Sequence, residues 1–245
     1  MKSLVAAIAF LTRLPVGGIV ACDAVDVARS GGWFPLVGII VGAICCGVAV
    51  VLRGHLPDAV TAILLVVVDI LITGGLHYDG LADCADGFGG GALKEDVLRI
   101  MRDHAIGSYG GLALVAVLAF KVTAYSALLG RPHWMLAVIL TPALGRWAIL
   151  PLTATLPYAR ETVSVIGGIG KAQLAWATVS MLMILGLAHS TRAGMALLVV
   201  ALVSAAFGSY CRRRISGITG DTLGANVELS EAAALLVFLW AVHPI

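Results

Sequence analysis

The sequence carries little charge and few aromatic residues for its length. Of its 245 residues, 12% are charged and 7% are aromatic, whereas 60% are hydrophobic and the mean hydropathy is +1.01. Soluble domains carry roughly 25% charged residues, so a globule of this composition could not cover a water-exposed surface. Intrinsic disorder is excluded because it requires low hydrophobicity and high net charge. The net charge of +2 is too small to indicate nucleic-acid binding. The sequence therefore predicts an integral membrane protein that binds no nucleic acid.

Cysteine is also scarce and irregularly spaced. The five cysteines are Cys22, Cys45, Cys46, Cys84 and Cys211. They are odd in number and contain no CxxC pair, which is the spacing typical of zinc sites, and no regular framework that would suggest disulfides. We expect neither kind of site.

Long apolar runs, by contrast, recur along the whole chain. About 20 apolar residues span a bilayer as a helix, and runs of this length are too long for barrel strands. Seven candidate spans cover residues 33–52, 59–76, 109–129, 134–156, 172–188, 193–210 and 222–242. Residues 4–16 are interrupted by Arg13, which favours an interfacial helix over a cleaved signal peptide. We predict an all-α, polytopic membrane helical bundle of about seven transmembrane helices plus a short N-terminal interfacial helix, in a single domain over residues 1–245.

The basic residues between the spans predict the orientation of this bundle. Cytoplasmic loops of membrane proteins are enriched in Lys and Arg. The N-terminal arm and alternate loops hold eleven of them: Lys2, Arg13, Arg29, Lys94, Arg99, Arg102, Arg160, Lys171, Arg212, Arg213 and Arg214. The opposite loops hold three, Arg53, Arg131 and Arg192. We therefore expect a cytoplasmic N-terminus.

Nine of the fourteen acidic residues fall in two stretches on the predicted cytoplasmic side. These nine are Asp79, Asp83, Asp86, Glu95, Asp96, Asp103, Asp221, Glu228 and Glu231. On a helix, Asp83 and Asp86 would lie about 40° and −20° around the axis from Asp79, which is one narrow face. Three carboxylates on one face repel each other unless cations lie among them, and oxygen ligands suit Mg²⁺. The spacing predicts a metal site at Asp79, Asp83 and Asp86, although a solvated helix end is the alternative.

The second acidic stretch begins the last candidate span. Asp221 and Glu228 are seven residues apart and so share a helix face. Acidic side chains within a span indicate a functional site by default, and Gly220 and Gly224 would let this helix pack closely on another. Asp221 could instead be a helix N-cap, which remains the alternative for that residue.

A third polar stretch, residues 100–111, combines basic, acidic and glycine residues just before a span. Arg102 offers a planar guanidinium for phosphate oxygens, Asp103 a further carboxylate, and Gly107 a point of close backbone approach. His77 could act as an acid or base because histidine titrates near neutrality. An Arg–Asp pair at a helix entrance and a polar packing histidine are the alternatives.

Three further charged residues fall inside other candidate spans and need partners there. Lys121 and Arg146 are expected to face inward, near the acidic residues or substrate phosphates, with Asp69 as a possible partner. Carboxylates that hold a divalent metal, with arginines beside them, indicate chemistry at a phosphodiester or phosphoryl group. The residues alone do not reveal the substrate.

Three strings of the sequence resemble the cobalamin synthase (adenosylcobinamide-GDP ribazoletransferase) family. They are residues 73–87 (TGGLHYDGLADCADG), 100–110 (IMRDHAIGSYG) and 219–228 (TGDTLGANVE), with smaller agreements at 12–16, 34–38 and 158–160. The resemblance runs from about residue 4 to residue 231. One departure precedes Thr219, where Gly217-Ile218 stands in place of the family's usual Gly-Gly.

The resemblance implies an enzyme of the late cobalamin pathway, a phosphotransferase of the EC 2.7.8 type in the cytoplasmic (inner) membrane. A hydroxyl of α-ribazole, or of its 5′-phosphate, would attack adenosylcobinamide-GDP, giving adenosylcobalamin (or its 5′-phosphate) and GMP with Mg²⁺ as cofactor. Metal ligands would be Asp79, Asp83, Asp86, Asp221 and Glu228. Catalytic residues would be Asp83, Asp86, His77 and Arg102, and substrate would contact Arg102, Arg160, Lys171, Asp103 and Gly107.

Two other functions remain open at this point. A membrane phosphotransferase acting on a CDP-activated lipid alcohol would use similar carboxylates, and a small transporter could line its pathway with Asp69, Lys121 and Arg146. The transporter predicts charges spread through the bilayer depth and an internal repeat, whereas the acidic residues gather on one side. A homo-oligomer is compatible with the sequence, which does not specify the oligomeric state.

Overall fold

The computed structural model describes residues 2–16, 23–161 and 168–240, and every regular element in them is a helix. The helices are α1 (Lys2–Leu11), α2 (Ala24–Ser30), a 3-10 turn (Gly31–Trp33), α3 (Phe34–Leu52), α4 (Asp58–Thr73), α5 (Leu76–Gly90), α6 (Lys94–Ile100), α7 (Ser108–Leu129), α8 (Trp134–Trp147), α9 (Ile149–Thr155), α10 (Lys171–Ala188), α11 (Thr191–Ile215) and α12 (Gly220–Leu239). Cys22 and the last residues of the predicted span 222–242 lie outside the described residues. The other four cysteines are buried free thiols.

The predicted all-α membrane bundle is confirmed. Within the part of the chain that the structure describes, six helical segments are long and apolar enough to cross a bilayer: Val25–Leu52, Ser108–Leu129, Trp134–Thr155, Lys171–Ala188, Thr191–Ile215 and Gly220–Leu239. A seventh is counted if α4 and α5 form one broken span. The third of these segments is itself interrupted, at Ala148 between α8 and α9.

The predicted span 59–76 does not continue as a straight helix. Helix α4 ends at Thr73, and α5 leaves at 91° to it. Gly74 and Gly75 make this bend with φ of 67° and 71°, in the left-handed region that only glycine adopts freely. The bend turns the aspartate-bearing helix α5 away from the direction of α4.

The N-terminal helix α1 is shorter than the interfacial helix expected over residues 4–16. It ends at Leu11, and the Thr12 hydroxyl donates to the Ile8 carbonyl at 2.6 Å, closing the last turn. Ala7 and Leu11 are buried, and Phe10 stacks on Phe34 of α3 with 6.0 Å between ring centroids. Helix α1 is therefore packed onto the bundle.

Small residues let the helices approach closely, as is typical of membrane bundles. In the α3–α8 pair, a Cβ added at Gly42 would lie 2.5 Å from the Ile139 carbonyl oxygen. In the α5–α12 pair, a Cβ at Gly80 would lie 2.7 Å from the carbonyl oxygen of Asp221, and one at Gly224 would lie 3.3 Å from the Cα of His77. The second pair is the one that brings the two acidic stretches together.

Candidate functional site

The three aspartates of α5 share a helix but not an environment. Asp79 is exposed, Asp83 is half-buried and Asp86 is buried. Asp79 and Asp221 line the same cavity, Asp83 lies one helical turn after Asp79, and Arg160 pairs with Asp221. Asp79, Asp83 and Asp221 thus form one acidic group between α5 and α12, with Arg160 beside it.

Asp221 is held by an arginine and is not the N-cap of its helix. The N-cap is Thr219, whose side chain accepts from the Thr222 amide at 3.2 Å, while the Thr222 hydroxyl accepts from the Thr219 amide at 2.8 Å. This reciprocal capping leaves the Asp221 carboxylate free for other contacts. Its Oδ2 accepts from Arg160 Nη2 at 2.6 Å and from the Thr219 hydroxyl at 3.2 Å. The N-cap alternative for Asp221 is therefore wrong.

A short backbone bridge brings Arg160 to the start of α12. The Ala159 amide donates to the Ile218 carbonyl at 2.8 Å, and the Ile218 amide donates to the Pro157 carbonyl at 2.9 Å. Gly217 is required here because a Cβ would fall well inside contact distance of the Pro157 oxygen. Only the backbone of Ile218 takes part in the bridge, and its side chain is buried.

Two cavities meet at Asp79. One, of about 240 Å³, is lined by His77 and by both Asp79 and Asp221. The other, of about 430 Å³, is lined by Arg13, Tyr78 and Asp79. Asp79 therefore borders both cavities.

Asp86 and Gly107 contact each other and not the other members of the predicted site. The Asp86 carboxylate accepts from the amides of Gly107 at 2.7 Å and Gly110 at 2.8 Å. These are the first amides of α7, so the negative charge also interacts favourably with the helix dipole. A Cβ at either glycine would collide with the carboxylate. Asp86 thus fixes the start of α7, and the Gly107 amide is already occupied.

Glu228 belongs to a second, fully buried group of charges. Lys121 Nζ lies 2.7 Å from a carboxylate oxygen of Glu228 and 2.7 Å from one of Glu231. Arg146 pairs with Glu231 and lies 3.5 Å from Asp69. The inward orientation predicted for Lys121 and Arg146 is confirmed, with Asp69 as a partner. Glu228 lies about 10 Å along the α12 axis from Asp221, in a different environment.

The closest carboxylate trio in the described residues is this buried one. Oxygens of Asp69, Glu228 and Glu231 all lie within 4.8 Å of one another, whereas Asp79, Asp83 and Asp221 form no cluster that tight. Lys121 and Arg146 already neutralise two of the three buried charges, however, which is the usual arrangement of buried carboxylates. The wider spacing of the α5–α12 carboxylates suits Mg²⁺, which keeps several waters and binds through few carboxylates plus substrate phosphates.

The sequence of this chain matches the cobalamin-5-phosphate synthase family over residues 3–239. The chain belongs to this family. Proteins named adenosylcobinamide-GDP ribazoletransferase from Klebsiella pneumoniae and Chlorobaculum tepidum are each 38% identical to it, over 98% of this chain and 100% and 96% of their own lengths. One from Clostridium botulinum (strain Okra) is 35% identical over 95% of both chains. No solved structure matches the chain.

Three predicted substrate residues of this cobalamin-5-phosphate synthase family member are not gathered at the acidic group. Arg102 and Asp103 follow α6 and are exposed, with the Asp103 carboxylate accepting from the Ala105 amide at 3.1 Å. Lys171 is the exposed first residue of α10. Neither Arg102 nor Lys171 forms an ion pair with any described residue. Of the three basic residues predicted to contact substrate, only Arg160 forms an ion pair with a predicted metal ligand among the described residues, at Asp221.

Two arginines that hold the ends of α5 were not assigned to the site from the sequence. Arg13 packs against Gly74, where a Cβ would lie 2.5 Å from its Nε, and it lines the larger cavity beside Asp79. Arg13 lies in residues 12–16, which agree with the cobalamin-5-phosphate synthase family, and this agreement could have indicated a role at the site. Arg214, read as part of the orientation signal, donates to the Gly91 carbonyl at 2.6 Å and so holds the end of α5.

Proposed function

We propose that the chain is an adenosylcobinamide-GDP ribazoletransferase. The main support is an acidic group formed by Asp79 and Asp83 of α5 and Asp221 of α12, two helices that pack together. Arg160 pairs with Asp221, and the chain belongs to this family. Relatives that bear this name match it over nearly their whole lengths. The substrates are adenosylcobinamide-GDP and α-ribazole or its 5′-phosphate.

The reaction joins the two substrates at one phosphorus. The oxygen of a ribose hydroxyl forms a bond to the cobinamide-side phosphorus of adenosylcobinamide-GDP, and the pyrophosphate bond to GMP breaks. GMP leaves with the electron pair of that bond, and the hydroxyl proton passes to a base. Asp83 and His77 are the candidate bases, because both lie beside Asp79 and neither is committed to an ion pair among the described residues.

Asp79, Asp83 and Asp221 are the residues that would hold Mg²⁺. When bound, the ion neutralises charge on the pyrophosphate and on the departing phosphate. Asp86 and Glu228, also expected as ligands, have other partners in the structure, at the start of α7 and at Lys121. We therefore leave them out of the proposed ligand set.

The arginines supply the protein's own positive charge at this site. Arg160 is fixed by Asp221, and a guanidinium so held can offer its remaining N–H groups to phosphate oxygens. Arg13 is fixed by backbone contact at Gly74 and borders the cavity next to Asp79. Between them these two arginines orient the pyrophosphate across Asp79.

The alternative of a small transporter has lost its main support. Asp69, Lys121 and Arg146 were the residues that could line a pathway, and they pair with one another and with α12 in the protein interior. We propose that the site faces the cytoplasm, which follows from the distribution of Lys and Arg between the loops. The membrane is then the cytoplasmic (inner) membrane.

The proposal is tested with purified protein in detergent or liposomes, given adenosylcobinamide-GDP, α-ribazole 5′-phosphate and Mg²⁺. GMP release and corrinoid product should appear together and should require both ribazole and metal, with EDTA as the control. A CDP-activated lipid alcohol offered as a donor should give no product. Absence of corrinoid product from folded protein, or turnover of the CDP-linked donor instead, would overturn the proposal.

A further inference from the structure

The cavity of about 240 Å³ beside His77 is lined in part by apolar residues from three helices. Phe10 and Leu11 come from α1, Ile149 from the start of α9 and Leu223 from α12. Leu11, Ile149 and Leu223 are each less than 5% exposed. The N-terminal helix therefore forms part of a binding cavity as well as packing on the bundle.

Polar residues of the proposed catalytic site line the same cavity. Asp79 and Asp221 both line it, together with the buried imidazole of His77. A ligand in this cavity therefore meets both apolar side chains and the two carboxylates. A ligand with a flat apolar end and a hydroxyl-bearing end would match this division.

Glycines set the size of the cavity. Gly80 and Gly224 both line it, and both are pressed against the backbone of the facing helix, so neither can carry a side chain. Gly220 also lines it, but a Cβ there would meet no atom within 4 Å. Gly220 therefore borders the cavity at a position with room for a side chain.

We infer that this cavity binds the fused aromatic base of the ribazole substrate, with the ribose at its polar mouth beside Asp79 and Asp221. The inference rests on the proposed function. An apolar aromatic base gains from burial against Phe10, Leu11 and Leu223. Guanine, the other base in the reaction, would leave buried donors and acceptors facing these apolar side chains, which is unfavourable. A corrin macrocycle is far larger than the cavity.

This placement gives the acceptor substrate and the donor substrate separate positions around Asp79. The base enters between α1 and α12, so the ribose hydroxyl approaches the carboxylates from the His77 side. The second cavity at Asp79, which Arg13 lines, is left for the pyrophosphate of the donor. The two substrates can then bind without competing for space, as attack at phosphorus requires.

The test is to fill the cavity and measure the two substrates separately. Gly220→Leu places a side chain in the open space, and Gly194→Leu, an exposed helical glycine of α11 with equally open surroundings, is the matched control. The KM for α-ribazole 5′-phosphate should rise about tenfold or more in Gly220→Leu, while that for adenosylcobinamide-GDP changes less than about twofold. Phe10→Ala removes an apolar side chain from the cavity lining without adding volume, and it should also raise the KM for α-ribazole 5′-phosphate. A rise confined to the KM of adenosylcobinamide-GDP, or no change in either, would overturn the assignment.

Binding without turnover separates this inference from the proposed function. Equilibrium dialysis of labelled α-ribazole against the protein in detergent should show binding that Gly220→Leu weakens and that Gly194→Leu leaves intact. Excess GMP should not displace the ribazole, and displacement by GMP would mean that the cavity holds guanine. Binding of ribazole by a protein that forms no corrinoid product would keep the cavity assignment and refute the reaction.

Discussion

Replacing Lys121 by methionine should destabilise the protein by about 3–5 kcal/mol. The ammonium group is 1% exposed and lies 2.7 Å from carboxylate oxygens of both Glu228 and Glu231. Methionine preserves the length of the side chain but leaves two buried carboxylates with one cation fewer. Removal of one partner from a buried ion pair costs about this much because the remaining charge stays desolvated. The lost contacts of Lys121 with the Tyr78 hydroxyl and ring would add to the cost.

The assay is equilibrium unfolding of purified protein in detergent, compared with Lys171→Met at an exposed position, where the change should stay within about 0.5 kcal/mol. Adding Glu228→Gln to Lys121→Met should restore at least about 1 kcal/mol, since the second change removes an unpaired charge and neighbouring residues couple on this scale. If Lys121→Met were as stable as the wild type, or if the double variant were less stable than Lys121→Met, Lys121 would not be the cation that compensates Glu228.

Three further outcomes follow from the site. Asp83→Asn should lower kcat by about 10²–10³-fold without loss of protein from the membrane; retained activity would remove Asp83 from the site. Arg160→Ala should cost about 10–100-fold in kcat/KM, with Arg160→Lys recovering part of it; equal loss in both would point to geometry over charge. Gly107→Ala should lower the unfolding midpoint by several degrees, because its Cβ meets the Asp86 carboxylate; an unchanged midpoint would contradict the contact.

Much of the fold follows from hydropathy and from the cost of charge in lipid. The apolar runs mark the spans. Because a charged side chain in lipid has a high free-energy cost, Lys121 and Arg146 can be predicted to face inward toward carboxylates. The break at Ala148 and the bend at Gly74-Gly75 are not predictable from the same signal. Hydropathy measures the length of an apolar run and is insensitive to the direction of the backbone within it.

The site was harder to predict because helix periodicity gives only the angle around an axis. Asp79, Asp83 and Asp86 share a face, yet Asp86 meets the start of α7 and Asp79 faces two cavities, since different neighbours cover successive turns of α5. The same periodicity predicts that Asp221 and Glu228 share a helix face, but it does not take account of the separation of about 10 Å between them along the helix axis. Arg13 reaches the site through tertiary packing, which no local pattern contains.

The buried charge cluster also has a consequence for the synthesis of the chain. Lys121 and Arg146 lie on α7 and α8, whereas Glu228 and Glu231 lie on α12, which leaves the ribosome later. A lysine or arginine at the centre of a lone helix costs about 2.5–3.5 kcal/mol on insertion. The earlier helices must therefore remain sheltered near the insertion machinery until α12 emerges with the neutralising carboxylates. A nascent chain that stops before Gly220 has Asp69 of α4 beside Arg146 but lacks Glu228 and Glu231, so Lys121 has no carboxylate partner from this cluster.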